Sequence, residues 1–119
     1  LDKNGTFLGG AIAAGVRLTL KALTANTSQL PSIPIEAPKS VIGTNTVECM
    51  QSGLVYGTAS MIDGLLDKIE DELGETPTFV ATGGLSKEII AHCRKNIIYN
   101  ENLLLEGLKA IYEKNNQPI

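Results

Sequence analysis

Thr78-Phe79-Val80-Ala81-Thr82-Gly83-Gly84-Leu85-Ser86 is the stretch that decides the fold class. Phe79 and Val80, flanked by threonines, favour extended backbone, so residues 78 to 82 are expected to form a short buried strand. Gly83-Gly84 ends it, and Ser86 is expected to cap a helix running through His92. A strand that passes through two glycines into a helix is the joint of an α/β architecture. Glycines at such a joint let a ligand approach the backbone and place it near a helix N-terminus. A tight turn with nothing bound is the competing reading, and spacing leaves both open. The pair is not a full G-x-G-x-x-G, and neither that pattern nor a P-loop occurs elsewhere in the chain.

Downstream, Asn96 to Tyr99 reads as another short strand. A last helix is expected over about Leu103 to Glu113, with Leu104, Leu108, Ile111 and Tyr112 facing inward. Upstream lies the longest element, a helix from Thr46 to Leu73. Asn45 can cap it, and Glu48 stands where a capping box needs it. At ~1.5 Å per residue the helix would be about 42 Å long. Ile62, Leu65, Leu66, Ile69 and Leu73 form the buried stripe of its second half, opposite Asp67, Lys68, Asp71 and Glu72. Its first half carries Gly53 and Gly57 on one side. Each glycine costs about 1 kcal/mol against alanine in a helix interior, so another backbone or a ligand is expected close to that face.

Pro31, Pro34 and Pro38 forbid a helix in residues 27 to 43, which read as an irregular crossing with Ile33 and Ile35 alternating. Before it, a helix from about Val16 places Val16, Leu20 and Leu23 on one face. Ala11 to Gly15 suits a tight loop, Thr6-Phe7-Leu8 reads as a strand entering Gly9-Gly10, and Asp2-Lys3-Asn4-Gly5 signals a hairpin turn. The expected order is strand, helix, long helix, strand, helix, strand, helix. That alternation indicates a three-layer α/β fold with a partly parallel sheet, whose ligands bind at the carboxyl ends of strands.

The chain has 119 residues, which fits one domain. Hydrophobic residues make up 43% and charged residues 19%, so the composition is not that of a disordered chain. The net charge is −3 with dispersed basic residues, which favours neither nucleic acid nor an acidic membrane face as a partner. No apolar run approaches the ~20 residues of a membrane span. The start has no signal-peptide character and no initiator methionine; a trimmed or fragmentary chain would begin this way. Cys49 and Cys93 stand far apart, without metal-ligand neighbours, and read as two buried structural thiols in a reducing, cytosolic compartment.

Few side chains promise chemistry. Thr46, in the first turn of the long helix, offers a hydroxyl beside free backbone N–H groups that favour an anionic or polar ligand; an ordinary helix-start threonine is the plainer reading. His92 has no nucleophile in motif context and reads as a solvent-facing or hydrogen-bonded histidine near a helix end. Asp63 reads as a solvated or paired carboxylate, and Glu70-Asp71-Glu72 as a solvated face. No carboxylates show Mg²⁺ motif spacing. Tyr56, Tyr99 and Tyr112 are isolated.

Taken together the motifs are more specific. Gly9-Gly10-Ala11-Ile12-Ala13-Ala14-Gly15 resembles the G-G-x-I-x-P-G loop of type III pantothenate kinases, with Ala14 where that family usually has proline. Leu30-Pro31 resembles its A-x-L-P step, and Ile42-Gly43-Thr44-Asn45-Thr46 its I-G-x-N-T stretch. Met50-Gln51-Ser52-Gly53 with Tyr56-Gly57 matches the M-Q-S-G-x-x-Y-G helix, and Ile62-Asp63-Gly64 continues it. Ala81-Thr82-Gly83-Gly84-Leu85 is similar to the A-T-G-G-L turn. Leu103 to Leu108, with Ile111-Tyr112 and Asn115, resembles the C-terminal helix.

The resemblance implies a ribonuclease H-like (actin-like ATPase) lobe: a mixed sheet flanked by helices, with the long helix at a dimer interface. It implies that residues 1–119 are the C-terminal lobe of a two-lobed cytoplasmic, homodimeric kinase whose N-terminal lobe is absent from this chain. The implied reaction is ATP-dependent phosphorylation of pantothenate, the first step of coenzyme A synthesis, with Mg²⁺ and a monovalent cation, K⁺ or ammonium. Thr46 matches the family threonine that binds pantothenate. Ile12 and Gly15 fall in the loop expected to line the pantothenate pocket, and Gly83 and Gly84 match the adenosine-side glycines. The family's D-x-G-N-T phosphate loop, its G-x-D-R segment with the catalytic aspartate, and its D-x-G-T-x-x-T cation segment have no counterpart in this sequence. No catalytic or metal-binding residue is therefore expected in this chain, which is expected to be inactive by itself; the alternative is a non-catalytic binding or dimerisation module.

Overall fold

A computed structural model describes residues 1–25 and 29–118. The elements are α1 (Val16–Ala25), α2 (Thr46–Leu73), β1 (Phe79–Ala81), α3 (Ser86–Ile90), β2 (Ile97–Tyr99) and α4 (Leu103–Asn115). The first two residues of the expected crossing, 27 and 28, lie outside the described residues.

α2 is the spine. Asn45 caps it as expected: the Glu48 N–H donates to Asn45 Oδ1 at 2.9 Å. The reciprocal half of the box differs, because the Glu48 carboxylate accepts from the Thr44 N–H (3.1 Å) and the Thr44 hydroxyl (3.0 Å) in place of the Asn45 backbone N–H. These bonds hold Glu48 below the usual carboxylate range, the Thr44 N–H contributing most. Gly74, at φ 71°, ends α2 in the left-handed conformation.

The core gathers on the first half of α2. Met50, Leu54, Val55 and Ala59 pack with Val16 of α1, Ile33 of the crossing and Ile89 of α3. Two polar side chains on the same face are buried there and satisfied by the crossing. Gln51 Nε2 donates to the Pro34 carbonyl at 3.1 Å, and the Ser52 hydroxyl donates to the Val41 carbonyl. Pro34 lacks an N–H but keeps its C=O, so a helix-forbidding segment still anchors to the helix. The stripe from Ile62 to Leu73 has the expected orientation but is only half-buried.

β1 and β2 pair in parallel, in the register Phe79↔Ile97, Val80↔Ile98, Ala81↔Tyr99. Asp63 of α2 fixes where β2 starts: its carboxylate accepts the N–H groups of Arg94 (2.8 Å) and Lys95 (3.0 Å). Lys95 then reaches back to Asp67 and Glu70 of the same helix.

Several expectations need correction. Thr6-Phe7-Leu8 is not a strand; the segment is exposed and pairs with no strand among the described residues. The turn before it forms as signalled: the Gly5 N–H donates to the Asp2 carbonyl and the Asp2 N–H to the Thr6 carbonyl, both at 3.0 Å, and Gly5 takes the positive φ (78°). The sheet of the described residues is therefore two parallel strands rather than mixed. β1 is half-buried, with Val80 47% exposed. α3 stops at Ile90, and Ser86 is not its cap, because its hydroxyl donates backwards to the Thr82 carbonyl. Leu104, Leu108, Ile111 and Tyr112 do not face inward: all four are exposed, and no residue of α4 is buried. Cys49 is exposed, and Cys93 is half-buried. Glu70 is half-buried against Lys95, whereas Asp71 and Glu72 are solvated as expected.

These exposures give an extended shape, 63 × 33 × 24 Å, with a radius of gyration of 17.9 Å. A compact chain of this length would have about 13.5 Å. The accessible surface is 9076 Å², against roughly 6,200 Å² for a compact monomer of this mass. No helix among the described residues is long and apolar enough to cross a membrane.

Candidate functional site

The expected strand–glycine–helix joint forms where β1 leaves the sheet. Gly83 has φ 108°, which an L side chain rarely adopts, so the turn itself explains this glycine. Gly84 is different. Its φ is not positive, and a Cβ built on it meets nothing within 4 Å. The fold does not require Gly84, and the space beside it is open to a ligand. The turn is held from both sides: the Ser86 N–H donates to the Gly83 carbonyl at 3.2 Å, and the Tyr99 hydroxyl donates to the same carbonyl at 3.3 Å. Tyr99, which reads as isolated in the sequence, thus pins the turn from the neighbouring strand. Its position opposite Ala81 in the parallel register is the signal, and it becomes visible only once the strands are paired.

Gly83 and Gly84 line a cleft of about 830 Å³. Gly15, at the start of α1, lines it too, so two of the expected site segments, far apart in sequence, meet there. The walls are mostly apolar, among them Ile62 and Leu66 of α2, Phe79 of β1 and Ile89 of α3. Arg17 is the one charged residue of this wall, and Thr58 adds a hydroxyl from α2. Sequence reading singled out neither. The helix dipole is weak at this joint, because α3 is only five residues long and lacks a side-chain cap.

Thr46 and Ile12 do not join the cleft. Thr46 is exposed in the first turn of α2. Twelve residues separate it from Thr58, about 18 Å along the helix axis. Gly43 sets its position: a Cβ there would stand 2.5 Å from the Cys49 backbone N and 2.7 Å from the Glu48 backbone C. The crossing therefore presses backbone to backbone on the first turn of α2, where only glycine fits. Ile12 is fully exposed, in an N-terminal arm with no regular structure.

The remaining candidates have structural places. Asp63 is paired, as expected, but with backbone N–H groups. His92 is exposed and meets Tyr56 edge-on, with ring centroids 5.2 Å apart. Burial, aided by the Asp63 charge, pushes the Cys93 thiol up, so it stays protonated at neutral pH. Gly53 and Gly57 of α2 are exposed, and nothing lies within 4 Å of a Cβ added at either. Among the described residues no three His, Cys, Asp or Glu come together as metal ligands would.

Comparison with known proteins meets this geometry at its defining segments. A profile of the family described as type III pantothenate kinase matches residues 1–68, which include the Gly15 loop, the Gly43 contact and the first turn of α2. A type III pantothenate kinase of Solibacter usitatus is 44% identical over 111 residues, 93% of this chain and 42% of the relative. One of Acidothermus cellulolyticus is 40% identical over 115 residues, 97% of this chain and 45% of the relative. One of Acholeplasma laidlawii is 44% identical over 113 residues, 95% of this chain and 46% of the relative. The chain thus spans less than half the length of each of these curated relatives. With the profile covering more than half of its residues, the chain belongs to the type III pantothenate kinase family.

Proposed function

We propose that this chain is the C-terminal lobe of an enzyme that transfers the γ-phosphoryl group of ATP to the 4′-hydroxyl of pantothenate. The observation that carries the proposal is the meeting of Gly15 with Gly83-Gly84 in one cleft, together with family membership. In this reading Gly84 leaves room for the adenosine of ATP, Gly83 shapes the turn, and Tyr99 holds it. Gly15 and Ile12 belong to the loop that borders pantothenate, and Thr46 orients pantothenate from the far end of α2. The spacing of about 18 Å along α2 suits two substrates laid end to end, with the reacting phosphoryl group between them.

Phosphoryl transfer depends on positioning and on charge stabilisation around the transferred group. The described residues carry one cation on the cleft, Arg17, and no carboxylate set for Mg²⁺. The catalytic base, the phosphate loop, and the holders of Mg²⁺ and of K⁺ or ammonium are therefore assigned to the N-terminal lobe, and no step is routed through a metal on this chain. The full enzyme works in the cytoplasm as a homodimer. Gly53 and Gly57, exposed on α2, offer a face that a second copy can approach closely. A non-catalytic binding or dimerisation module is favoured only by that glycine face.

The test separates the two substrates. In an active assembly of this chain with the remainder of the kinase, Thr46→Ala should raise KM for pantothenate about tenfold or more, as loss of a hydrogen bond to bound substrate does, and leave KM for ATP unchanged. Gly84→Val should do the reverse. Equal effects of both variants on both substrates would sink the assignment.

A further inference from the structure

The cleft beside Gly83-Gly84 is not an isolated hollow. A second cavity, of about 530 Å³, lies against it, between α1 and the crossing. Arg17 and Leu85 line both. They form the partition between the two cavities, and Leu85 directly follows Gly83-Gly84 in the chain. Packing thus brings a cation on the first turn of α1 to the rim of the glycine turn. The fold does not employ that cation. Among the described residues Lys95 is paired with Asp67 and Glu70, and Lys109 with Glu113, whereas Arg17 meets no carboxylate.

We infer that Arg17 is a nucleotide-binding residue whose guanidinium lies flat on one face of the adenine of ATP, while the bare backbone of Gly84 leaves room for the other face. Arg17 could in principle serve the base or the phosphates, and the surroundings favour the base. The wall it shares is apolar, with Ile62, Leu66 and Phe79, which suits a planar ring and not a multiply charged chain. A phosphate chain asks for several convergent donors. Those at the turn are already engaged, the Ser86 N–H with the Gly83 carbonyl and the Ser86 hydroxyl with the Thr82 carbonyl. Lys21, one helical turn beyond Arg17, lines the second cavity and not this cleft, so the two cations do not converge on one anion. A planar guanidinium, by contrast, stacks on an aromatic face as readily as it pairs with an anion, and every base offers such a face. This lobe thereby holds the nucleoside by shape and stacking and leaves the phosphates to the N-terminal lobe. The inference rests on the proposed function for the identity of the ligand, and on the shared wall for the choice of residue.

The experiment titrates the full 119-residue chain with adenosine and, separately, with ATP, followed by NMR of the ligand. The parent should bind both. Arg17→Ala should weaken adenosine about tenfold, the size of a lost base stack. It should weaken ATP by the same factor, because the contact is to the part that the two ligands share. Arg17→Lys keeps the charge and loses the plane, so it should weaken adenosine nearly as much. Lys21→Ala makes the same change of charge one turn further along α1 and should leave adenosine binding as in the parent. Both residues are exposed, so all three variants should keep the parent's circular dichroism and Tm. An R17A chain that binds adenosine like the parent would overturn the inference. A loss confined to ATP would overturn it too, because the contact would then be to phosphate. So would an R17K chain as tight as the parent, a K21A chain as weak as R17A, or a parent that binds no adenosine. The titrations use neither pantothenate nor phosphoryl transfer. Adenosine binding through Arg17 in a chain whose assembly with the rest of the kinase phosphorylates nothing would count against the proposed function alone. An active assembly whose KM for ATP is untouched by Arg17→Ala would count against Arg17 alone.

Discussion

Gly43→Ala is the sharpest single perturbation of the site's geometry. The added methyl carbon would stand 2.5 Å from the Cys49 N, 2.7 Å from the Glu48 C and 2.8 Å from the Cys49 Cα. All three are backbone atoms inside a capped helix turn, so no rotamer change relieves the contact. The crossing must retreat by about 1 Å to reach ordinary van der Waals distance. Overpacking of this kind costs about 1–3 kcal/mol. The retreat also pulls Thr44 from the Glu48 carboxylate and Asn45 from the Glu48 N–H, and losing such a cap costs about 1 kcal/mol. A total of about 3 kcal/mol lowers Tm by roughly 10 °C in a domain of this size. The assay is thermal unfolding followed by circular dichroism. Gly53→Ala in the same helix is the control, because its Cβ meets nothing; it should raise stability by about 1 kcal/mol. If G43A melted within about 2 °C of the parent, the backbone contact would not be what fixes the crossing on α2, and the placement of Thr46 would need another explanation.

Asp63→Ala should destabilise the chain by about 1–3 kcal/mol in urea unfolding, because the Arg94 and Lys95 N–H groups lose a charged acceptor; a silent substitution would mean that water replaces the carboxylate without loss. Glu48, held low in the folded chain, contributes stability that is present above its ordinary value of 4.5 and is lost as pH falls through its lowered folded value. Urea midpoints should therefore drop as pH falls from 4.5 through that lowered value, and Glu48→Gln should shrink the drop. Exposed Cys49 should react with a thiol reagent at neutral pH well before Cys93, whose thiolate is disfavoured by burial and by Asp63; quantitative mass spectrometry of the two sites gives the ratio, and equal rates would contradict the burial of Cys93.

What the sequence made legible was local. The Asn45 cap, the Gly74 stop, both strands of the parallel pair and the glycine joint follow from rules that act over a few residues. The Thr6–Leu8 strand failed for a non-local reason: a strand is completed by a partner, and alternation says nothing about whether one is within reach. α4 shows the same limit. Leu104, Leu108 and Ile111 have the spacing of a buried face, but their exposure depends on what packs against them. The site divides along that line. Gly83 was readable as a turn glycine. That Gly84 is free of structural duty, that Tyr99 pins the turn, and that Gly15 lies across the same cleft all depend on parallel pairing and on the packing of α1 against α2. Gly43 stood within a recognisable stretch, but its role needed the coordinates of the facing backbone.

The most direct test of the central claim is formation of 4′-phosphopantothenate from ATP and pantothenate in the presence of Mg²⁺ and K⁺. It compares the 119-residue chain alone with the same chain assembled with the remainder of a type III pantothenate kinase. Turnover should appear only in the assembly, and there at a rate that Thr46→Ala lowers at subsaturating pantothenate. Turnover by the chain alone at the rate of the assembly, or a fully formed assembly that phosphorylates nothing, would contradict the claim.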